Sequence, residues 1–227
     1  MKYKNAFLLT DEVELVEQGM KRGVAEFTVA TRFPHRFEGI EGVTAYKCVY
    51  SKEDVCSYPR YALMTLMDEE AVDKVIEAVY KEKAELIVAT AYSLDETGTI
   101  EVRYHLSPVQ LLHKLGLLDN TTIVGGVHLD RDDIDLMAQS NAKVVLCPTA
   151  SMGYGYGFPH YCALKRKLTV SLGSGDNRFN RLGDMKKEAE ILVLGSNCDM
   201  RSDCSVREEE ALALVSVDGK ADGTLFE

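Results

Sequence analysis

Runs of apolar residues alternate along the chain with segments in which apolar residues recur at helical spacing. Most of the runs are nearly continuous, as expected for parallel strands that are buried on both faces. They predict eight strands, at Asn5–Leu9, Val24–Ala30, Val43–Tyr50, Tyr61–Met67, Glu85–Tyr92, Thr122–His128, Lys143–Cys147 and Leu168–Leu172. The helical spacing predicts seven helices, at Val13–Met20, Asp68–Lys83, Ser107–Leu118, Asp130–Gln139, Pro159–Lys167, Gly183–Leu194 and Val206–Val217.

The alternation of strands and helices predicts the arrangement of the whole chain. Eight parallel strands can close without leaving an edge, so the predicted fold class is α/β, a (β/α)8 TIM-like barrel. The intervals Thr31–Gly42 and Ser51–Arg60 are too short for ordinary helices, so the barrel is expected to be compact or distorted there. No linker or internal repeat divides the 227 residues, which predicts one barrel domain over residues 1–227.

Composition and charge exclude several classes of function. The net charge is −10 and no basic stripe occurs, so nucleic-acid binding is not expected. No apolar run approaches the roughly 18 residues of a membrane span, and the first residues do not form a signal peptide. A cytoplasmic location with reduced thiols is therefore expected for the six cysteines. A metal site or disulfide at Cys198 and Cys204 is disfavoured, because further closely spaced Cys or His residues are missing there.

Polar residues follow three of the predicted strands, where a parallel barrel places its functional rim. They are Ser93, Asp95 and Glu96 after the fifth strand, His128 at the end of the sixth, and Asp176 and Asn177 after the eighth. In the strand-end clusters between Thr121 and Asn180, only His128 and Asp176 look like possible metal ligands, fewer than the three that a zinc site normally needs. As structural alternatives, His128 would cap the next helix or bond a loop carbonyl, and Asp176 would cap or turn the backbone before Arg178.

A glycine-rich segment, Gly153-Tyr154-Gly155-Tyr156-Gly157, follows the seventh strand. It does not open directly onto a helix, as a phosphate-binding loop would. Its two tyrosine rings are suited to stack on a planar ligand, and packing on neighbouring side chains is the alternative. A small planar molecule is therefore the candidate ligand of this loop.

Four segments occur in a characteristic order: Leu115-Gly116-Leu117-Leu118-Asp119, Gly126-Val127-His128-Leu129-Asp130, Cys147-Pro148-Thr149-Ala150-Ser151 and Leu172-Gly173-Ser174. Tyr92-Ser93-Leu94-Asp95-Glu96-Thr97 precedes them. This series resembles the amidohydrolase superfamily, and most closely its cytosine deaminase/chlorohydrolase-like branch. The resemblance implies a barrel that uses one divalent metal, zinc or iron, to activate water for hydrolysis. The accessory β-sandwich of that family is not expected in this chain.

The resemblance also indicates which positions would hold the metal. The positions matched to the family's four ligands hold Phe7, Leu9, Ser93 and Gly175, and Gly125 stands where the family has its catalytic histidine. Phenylalanine, leucine and glycine side chains cannot donate to a metal, and a neutral serine is a poor ligand. Glu96 matches the family's proton-transferring glutamate. The family's metal site is therefore expected to be degenerate in this chain.

Loss of these ligands predicts a diverged amidohydrolase-like protein, a metal-independent pseudoenzyme with no cofactor, that binds a small ligand or a partner at the barrel's carboxyl-end face. The predicted ligand-binding residues are Ser93, Asp95, Tyr154, Tyr156, Asp176 and Asn177. One alternative is an active hydrolase or deaminase acting on C–N or C–Cl bonds, with Glu96 and His128 in catalytic roles and Glu96, His128 and Asp176 as relocated ligands of one zinc or iron ion. Another is a structural or regulatory subunit, as a homo-oligomer or with a protein partner, because shortened helices leave apolar surface for a neighbour to cover.

Overall fold

Parallel strands follow one another around a barrel. The structure, a computed structural model, describes residues 1–203, 205–221 and 223–226. The strands among these residues are Tyr3–Leu9 (β1), Val24–Thr31 (β2), Val43–Val49 (β3), Arg60–Leu63 (β4), Glu85–Thr90 (β5), Thr122–Gly125 (β6), Lys143–Leu146 (β7), Thr169–Leu172 (β8) and Gly175–Asp176 (β9). They form one sheet in the order β8-β7-β6-β5-β4-β3-β2-β1-β9. All eight predicted strands are confirmed, and five of them (β3 to β7) end earlier than the apolar runs suggest.

A single stretch of chain joins the two edges of the sheet. β8 pairs with β7 and β9 pairs with β1, and only Gly173 and Ser174 separate β8 from β9. A Cβ atom at residue 173 would lie 2.6 Å from the carbonyl oxygen of Phe7, so this approach of two backbones requires glycine. The Asn5 side chain donates to Ser174 Oγ at 2.7 Å and accepts from the Ser174 amide at 3.1 Å. The predicted α/β TIM-like barrel is thereby confirmed.

The sheet separates two apolar layers. Alternate residues of β3 point to opposite faces, with Tyr46 and Cys48 inside the barrel and Ala45 and Val49 beneath the helices. The inner layer consists of Phe7, Ala30, Tyr46, Cys48, Ala62, Ile87, Val124, Val145, Cys147 and Ala150, with Ala6, Leu9 and Met64 packed against it. The barrel interior is therefore filled with apolar side chains up to the level of the carboxyl-end rim.

Helices cover most of the outer face. Those among the described residues are Val13–Lys21 (α1), Glu69–Glu82 (α2), Leu94–Tyr104 (α3), Pro108–Lys114 (α4), Arg131–Gln139 (α5), Pro148–Gly153 (α6), Tyr161–Leu164 (α7), Met185–Met200 (α8) and Glu208–Val215 (α9). All seven predicted helices are present. The predicted cap of α2 is also present, since Asp68 Oδ1 accepts from the Ala71 amide at 3.0 Å.

The structure differs from the predicted helix pattern in several places. α3 and α6 were not predicted, α4 and α7 are shorter than expected, and α8 continues to Met200. The two short intervals hold only 3-10 turns, Pro34–Phe37 and Lys52–Asp54, which confirms the reduced helix layer on that side. In the described part of the chain, no helix has both the length and the apolar character needed to cross a membrane.

Candidate functional site at the carboxyl-end rim

Glu96 is held at the rim by the start of α3. β5 ends at Thr90 and α3 begins at Leu94, so the first turn of the helix lies beside the strand's carboxyl end. Ser93 caps the helix, because its hydroxyl accepts from the Glu96 amide at 3.1 Å. The cap fixes the backbone of Glu96, the third residue of the helix.

Glu96 is a partly buried residue whose carboxyl group has a raised pKa. Burial raises the pKa of Glu96 to about 7, although the Thr90 hydroxyl, the amides of Ala91 and Tyr92 and the Thr97 side chain all lower it. The Thr90 hydroxyl donates to Oε1. Oε2 is buried and has no partner in normal hydrogen-bond geometry among the described residues. A ligand group that reached Oε2 would satisfy this atom.

Aromatic rings flank a cavity in front of Glu96. The cavity has a volume of about 410 Å³ and is lined by Tyr92, Ser93, Leu94, Asp95, Glu96, Gly155 and Tyr156. The ring centroids of Tyr92 and Tyr156 lie 5.4 Å apart, with their planes tilted by 50°. Tyr156 also stacks on Tyr154, with 5.4 Å between centroids and 23° between planes. The two tyrosines of the glycine-rich loop therefore differ, because Tyr156 lines the cavity whereas Tyr154 stacks on Tyr156 and is not among the lining residues.

His128 and Asp176 are both engaged with loops. His128 Nε2 lies 2.9 Å from the carbonyl oxygen of Tyr156, and this nitrogen donates because a carbonyl can only accept. Asp176 accepts from the Tyr154 hydroxyl through Oδ2 and from the Arg178 amide, at 2.9 Å, through Oδ1. Both side chains thus hold the tyrosine loop or the turn after β9, as the structural alternatives from the sequence describe.

The remaining predicted site residues occupy different parts of the rim. Asp95 lines the Glu96 cavity, but its side chain is exposed. Asn177 lies away from it, in a cavity of about 460 Å³ lined also by Leu9, Thr10, Asp11, Glu12, Arg32, Cys48 and Tyr50. The structure therefore groups Ser93, Asp95, Glu96 and Tyr156 around one cavity and places Asn177 at another.

Sequence reasoning missed two polar groups of the rim. Thr90 ends a buried strand and donates to Glu96. Asp11 binds Arg32 through two hydrogen bonds at 2.7 and 2.9 Å and an ion-pair contact at 2.6 Å. Thr90 lies near the end of the predicted strand Glu85–Tyr92, and Asp11 lies two residues after Asn5–Leu9. Closeness to the carboxyl end of a strand was the available signal.

The residues at the rim do not fit the catalytic metal that the resemblance implies. Phe7 is buried and Leu9 packs against the inner apolar layer, and neither has a donor atom. The Ser93 hydroxyl is used as the cap of α3. Among the described residues, no group of three or more His, Cys, Asp or Glu side chains is placed to hold a metal ion. Cys204 lies outside those residues, so the disfavoured Cys198/Cys204 site remains a prediction.

The backbone also leaves no room for ligands at the two glycine positions. A Cβ at residue 175 would lie 2.8 Å from Ala150 Cβ, and one at residue 125 would lie 2.8 Å from the carbonyl oxygen of Thr90. Both glycines have positive φ angles, +67° at residue 175 and +116° at residue 125. An aspartate or histidine at these positions would therefore be strained and would collide with neighbours.

Comparison with known sequences finds relatives that share one name. No family model matches the chain. A 5-methylthioadenosine/S-adenosylhomocysteine deaminase from Pyrococcus horikoshii is 28% identical over 131 residues, which are 57% of this chain and 31% of the relative. The enzyme of the same name from Pyrococcus furiosus is 32% identical over 124 residues, 54% of this chain and 30% of the relative. The chain matches about a third of the length of these relatives.

Solved structures share the fold over nearly the whole chain. A zinc-bound adenosine deaminase from Xanthomonas campestris superposes with a TM-score of 0.75 and 13% identity, over 96% of this chain and 65% of the other. Guanine deaminase from C. acetobutylicum, with guanine in its active site, superposes with a TM-score of 0.74 and 16% identity, over 91% of this chain and 60% of the other. An amidohydrolase from Brucella melitensis superposes with a TM-score of 0.62 and 17% identity, over 82% of this chain and 39% of the other. The sequence relatives support the resemblance to the amidohydrolase superfamily, and the solved structures show that the barrel fold is shared.

Proposed function

We propose that the chain binds a small planar heterocycle at the Glu96 cavity without hydrolysing it through a metal. The observation that carries this proposal is the buried Oε2 of Glu96, which has no partner in normal hydrogen-bond geometry among the described residues. Glu96 lines a cavity together with Tyr92 and Tyr156. An unpartnered buried polar atom is costly, so a site of this kind gains stability when a ligand supplies the missing hydrogen bond. The volume of about 410 Å³ lies within the range of small-molecule sites.

The chemistry of the cavity favours a nitrogen heterocycle with an exocyclic amino group. With a pKa of about 7, Glu96 is present near neutrality both as a carboxylate and as a carboxylic acid. The carboxylate accepts a hydrogen bond from an amino group, and the acid donates one to a ring nitrogen. The Tyr156 ring offers an apolar face on which a planar ring stacks. The named substrates of the deaminase relatives carry an adenine ring, which supports adenine as the first heterocycle to test.

Metal-dependent hydrolysis is the second candidate function. The deaminase relatives and the zinc-bound structural neighbour favour it. In this chain it requires Glu96, His128 and Asp176 to act as ligands, and the last two would first have to release Tyr156, Tyr154 and Arg178. Without a metal, water keeps its pKa near 15.7 rather than about 7 and is a weak nucleophile at neutral pH. The donor set of the rim therefore favours binding over hydrolysis.

Calorimetric titration with 5′-methylthioadenosine in EDTA tests the proposal. We expect binding at one site per chain at pH 6.5 and no release of ammonia. Tyr156→Ala should weaken binding about 5- to 150-fold, because stacking of a base on an aromatic ring contributes about 1–3 kcal/mol. Tyr156→Phe, which keeps the ring, is the matched control and should bind like the unmodified chain.

Two results would count against the proposed site. One is the absence of heat at millimolar nucleoside with a folded protein. The other is binding that Tyr156→Ala leaves unchanged, since this would place the ligand elsewhere on the barrel.

A further inference from the structure

A second cavity lies on the flank of the barrel, outside the rim. It has a volume of about 530 Å³ and lies between the loop after β6, α5, the segment around α7 and α8. Apolar side chains supply much of its lining, including Val127, Leu129, Ile134, Leu164 and Met200. None of the residues around this cavity also lines the Glu96 cavity. Its size is that of a small-molecule site.

A buried hydroxyl in this cavity lacks a hydrogen bond. Ser196 lies on α8, is 2% exposed and lines the cavity. Its Oγ has no partner in the part of the chain that the structure describes. Helical serines commonly satisfy their hydroxyl through the carbonyl one turn earlier, and Ser196 does not. The cavity therefore contains a polar atom that a bound molecule could satisfy.

Two arginine side chains at the cavity have no ion-pair partner among the described residues, whereas the carboxylates there are engaged. Its carboxylates are engaged, since Asp135 pairs with Lys167, Asp199 lies 3.0 Å from His160 Nδ1, and Asp130 caps α5. Arg131 and Arg166 also line the cavity and form no ion pair with any described residue. Guanidinium groups without a protein partner bind carboxylates and phosphates well.

We infer that this flank cavity binds a small amphipathic carboxylate, with its apolar body on the α5 and α8 side chains and its carboxylate at Arg131 and Arg166. The Ser196 hydroxyl would donate a hydrogen bond to the same carboxylate. The inference does not depend on the proposed function, because it rests on a different cavity and different residues.

Calorimetric titration with sodium octanoate tests the inference. We expect one site per chain with a Kd below about 1 mM. Octanamide, which has the same chain length and no charge, should bind at least about fivefold more weakly. Ala163→Phe, at an exposed lining position, should abolish binding by filling part of the cavity. The double variant Arg131→Gln/Arg166→Gln should bind octanoate more weakly. Arg22 lines no part of the cavity, so Arg22→Gln should leave octanoate binding unchanged.

Ser196→Ala separates the ligand role from a structural one. Removing an unpartnered buried hydroxyl should raise the melting temperature of the ligand-free chain, while the octanoate-induced rise in melting temperature should decrease. Absence of octanoate binding in the folded chain, or binding unaffected by Ala163→Phe, would overturn the inference. Equal affinities for octanoate and octanamide would overturn the assignment to a carboxylate. Glu96→Gln should leave octanoate binding unchanged, so failure at one cavity is distinguishable from failure at the other.

Discussion

Replacing Glu188 with alanine is expected to lower the free energy of unfolding by about 3–5 kcal/mol, because three buried donors would lose their acceptor. Glu188 lies on α8 and is 0% exposed. Its Oε1 accepts from the Thr149 hydroxyl and from Asn180 Nδ2 at 2.7 Å, and its Oε2 accepts from the Thr149 amide at 3.1 Å. Burial raises the pKa of this carboxyl group. One side chain thus joins α8 to the segments that follow β7 and β9.

Urea unfolding of three variants measures this effect. Glu188→Gln keeps one acceptor oxygen and should lose only about 1–2 kcal/mol, since its amide nitrogen faces a donor. Glu190→Ala, on the same helix at a partly exposed position, should change stability by less than about 0.5 kcal/mol. A loss below about 1 kcal/mol for Glu188→Ala would show that the network is not needed to hold the rim.

Replacing Glu96 with glutamine is expected to remove a large part of the pH dependence of stability. The pKa of Glu96 is about 7 in the folded chain and has a reference value of 4.5. Because the folded pKa is the higher one, the folded state binds this proton more tightly. The resulting stabilisation is complete below about pH 4.5 and is lost as pH rises through about 7. The difference corresponds to about 3 kcal/mol.

Urea unfolding at pH 5, 6.5 and 8 measures this dependence. The unmodified chain should lose stability relative to Glu96→Gln over this range, and at pH 8 the variant should be the more stable of the two. Burial also raises the pKa values of Asp133 and Glu188, but the comparison of the two chains cancels their contributions. Glu101→Gln, at an exposed position of the same helix, is the control. If the free energy of unfolding changed with pH equally in the unmodified chain and in Glu96→Gln, the raised pKa of Glu96 would be refuted.

Apolar runs predicted the sheet well because strands buried on both faces leave a continuous signal. α3 was missed because its apolar positions do not form a clear stripe. Leu94 and Val102 are 73% and 80% exposed, and Ile100 is the buried aliphatic side chain of the helix. α6 was missed because Cys-Pro-Thr-Ala-Ser is typical of a loop, although proline at a first helical position was a usable signal.

The position of Glu96 at the rim could be predicted from the sequence, but its environment could not. The raised pKa depends on burial beside β5 and on Thr90, which is six residues away along the chain. Glu188 lies in a charged helical segment whose pattern gives no sign of a buried carboxylate. Its partners Thr149 and Asn180 belong to other segments of the barrel. Such networks depend on which loops meet, and local sequence does not contain this information.

The zinc content of the purified chain shows whether its rim holds a catalytic metal. After expression in zinc-supplemented medium, mass spectrometry of the metal should find less than about a tenth of an equivalent per chain, because the rim residues that the structure describes do not supply three free ligands. One tightly held equivalent of zinc would contradict the proposal that the rim binds no catalytic metal. Its loss in His128→Ala or Asp176→Asn would identify the ligands.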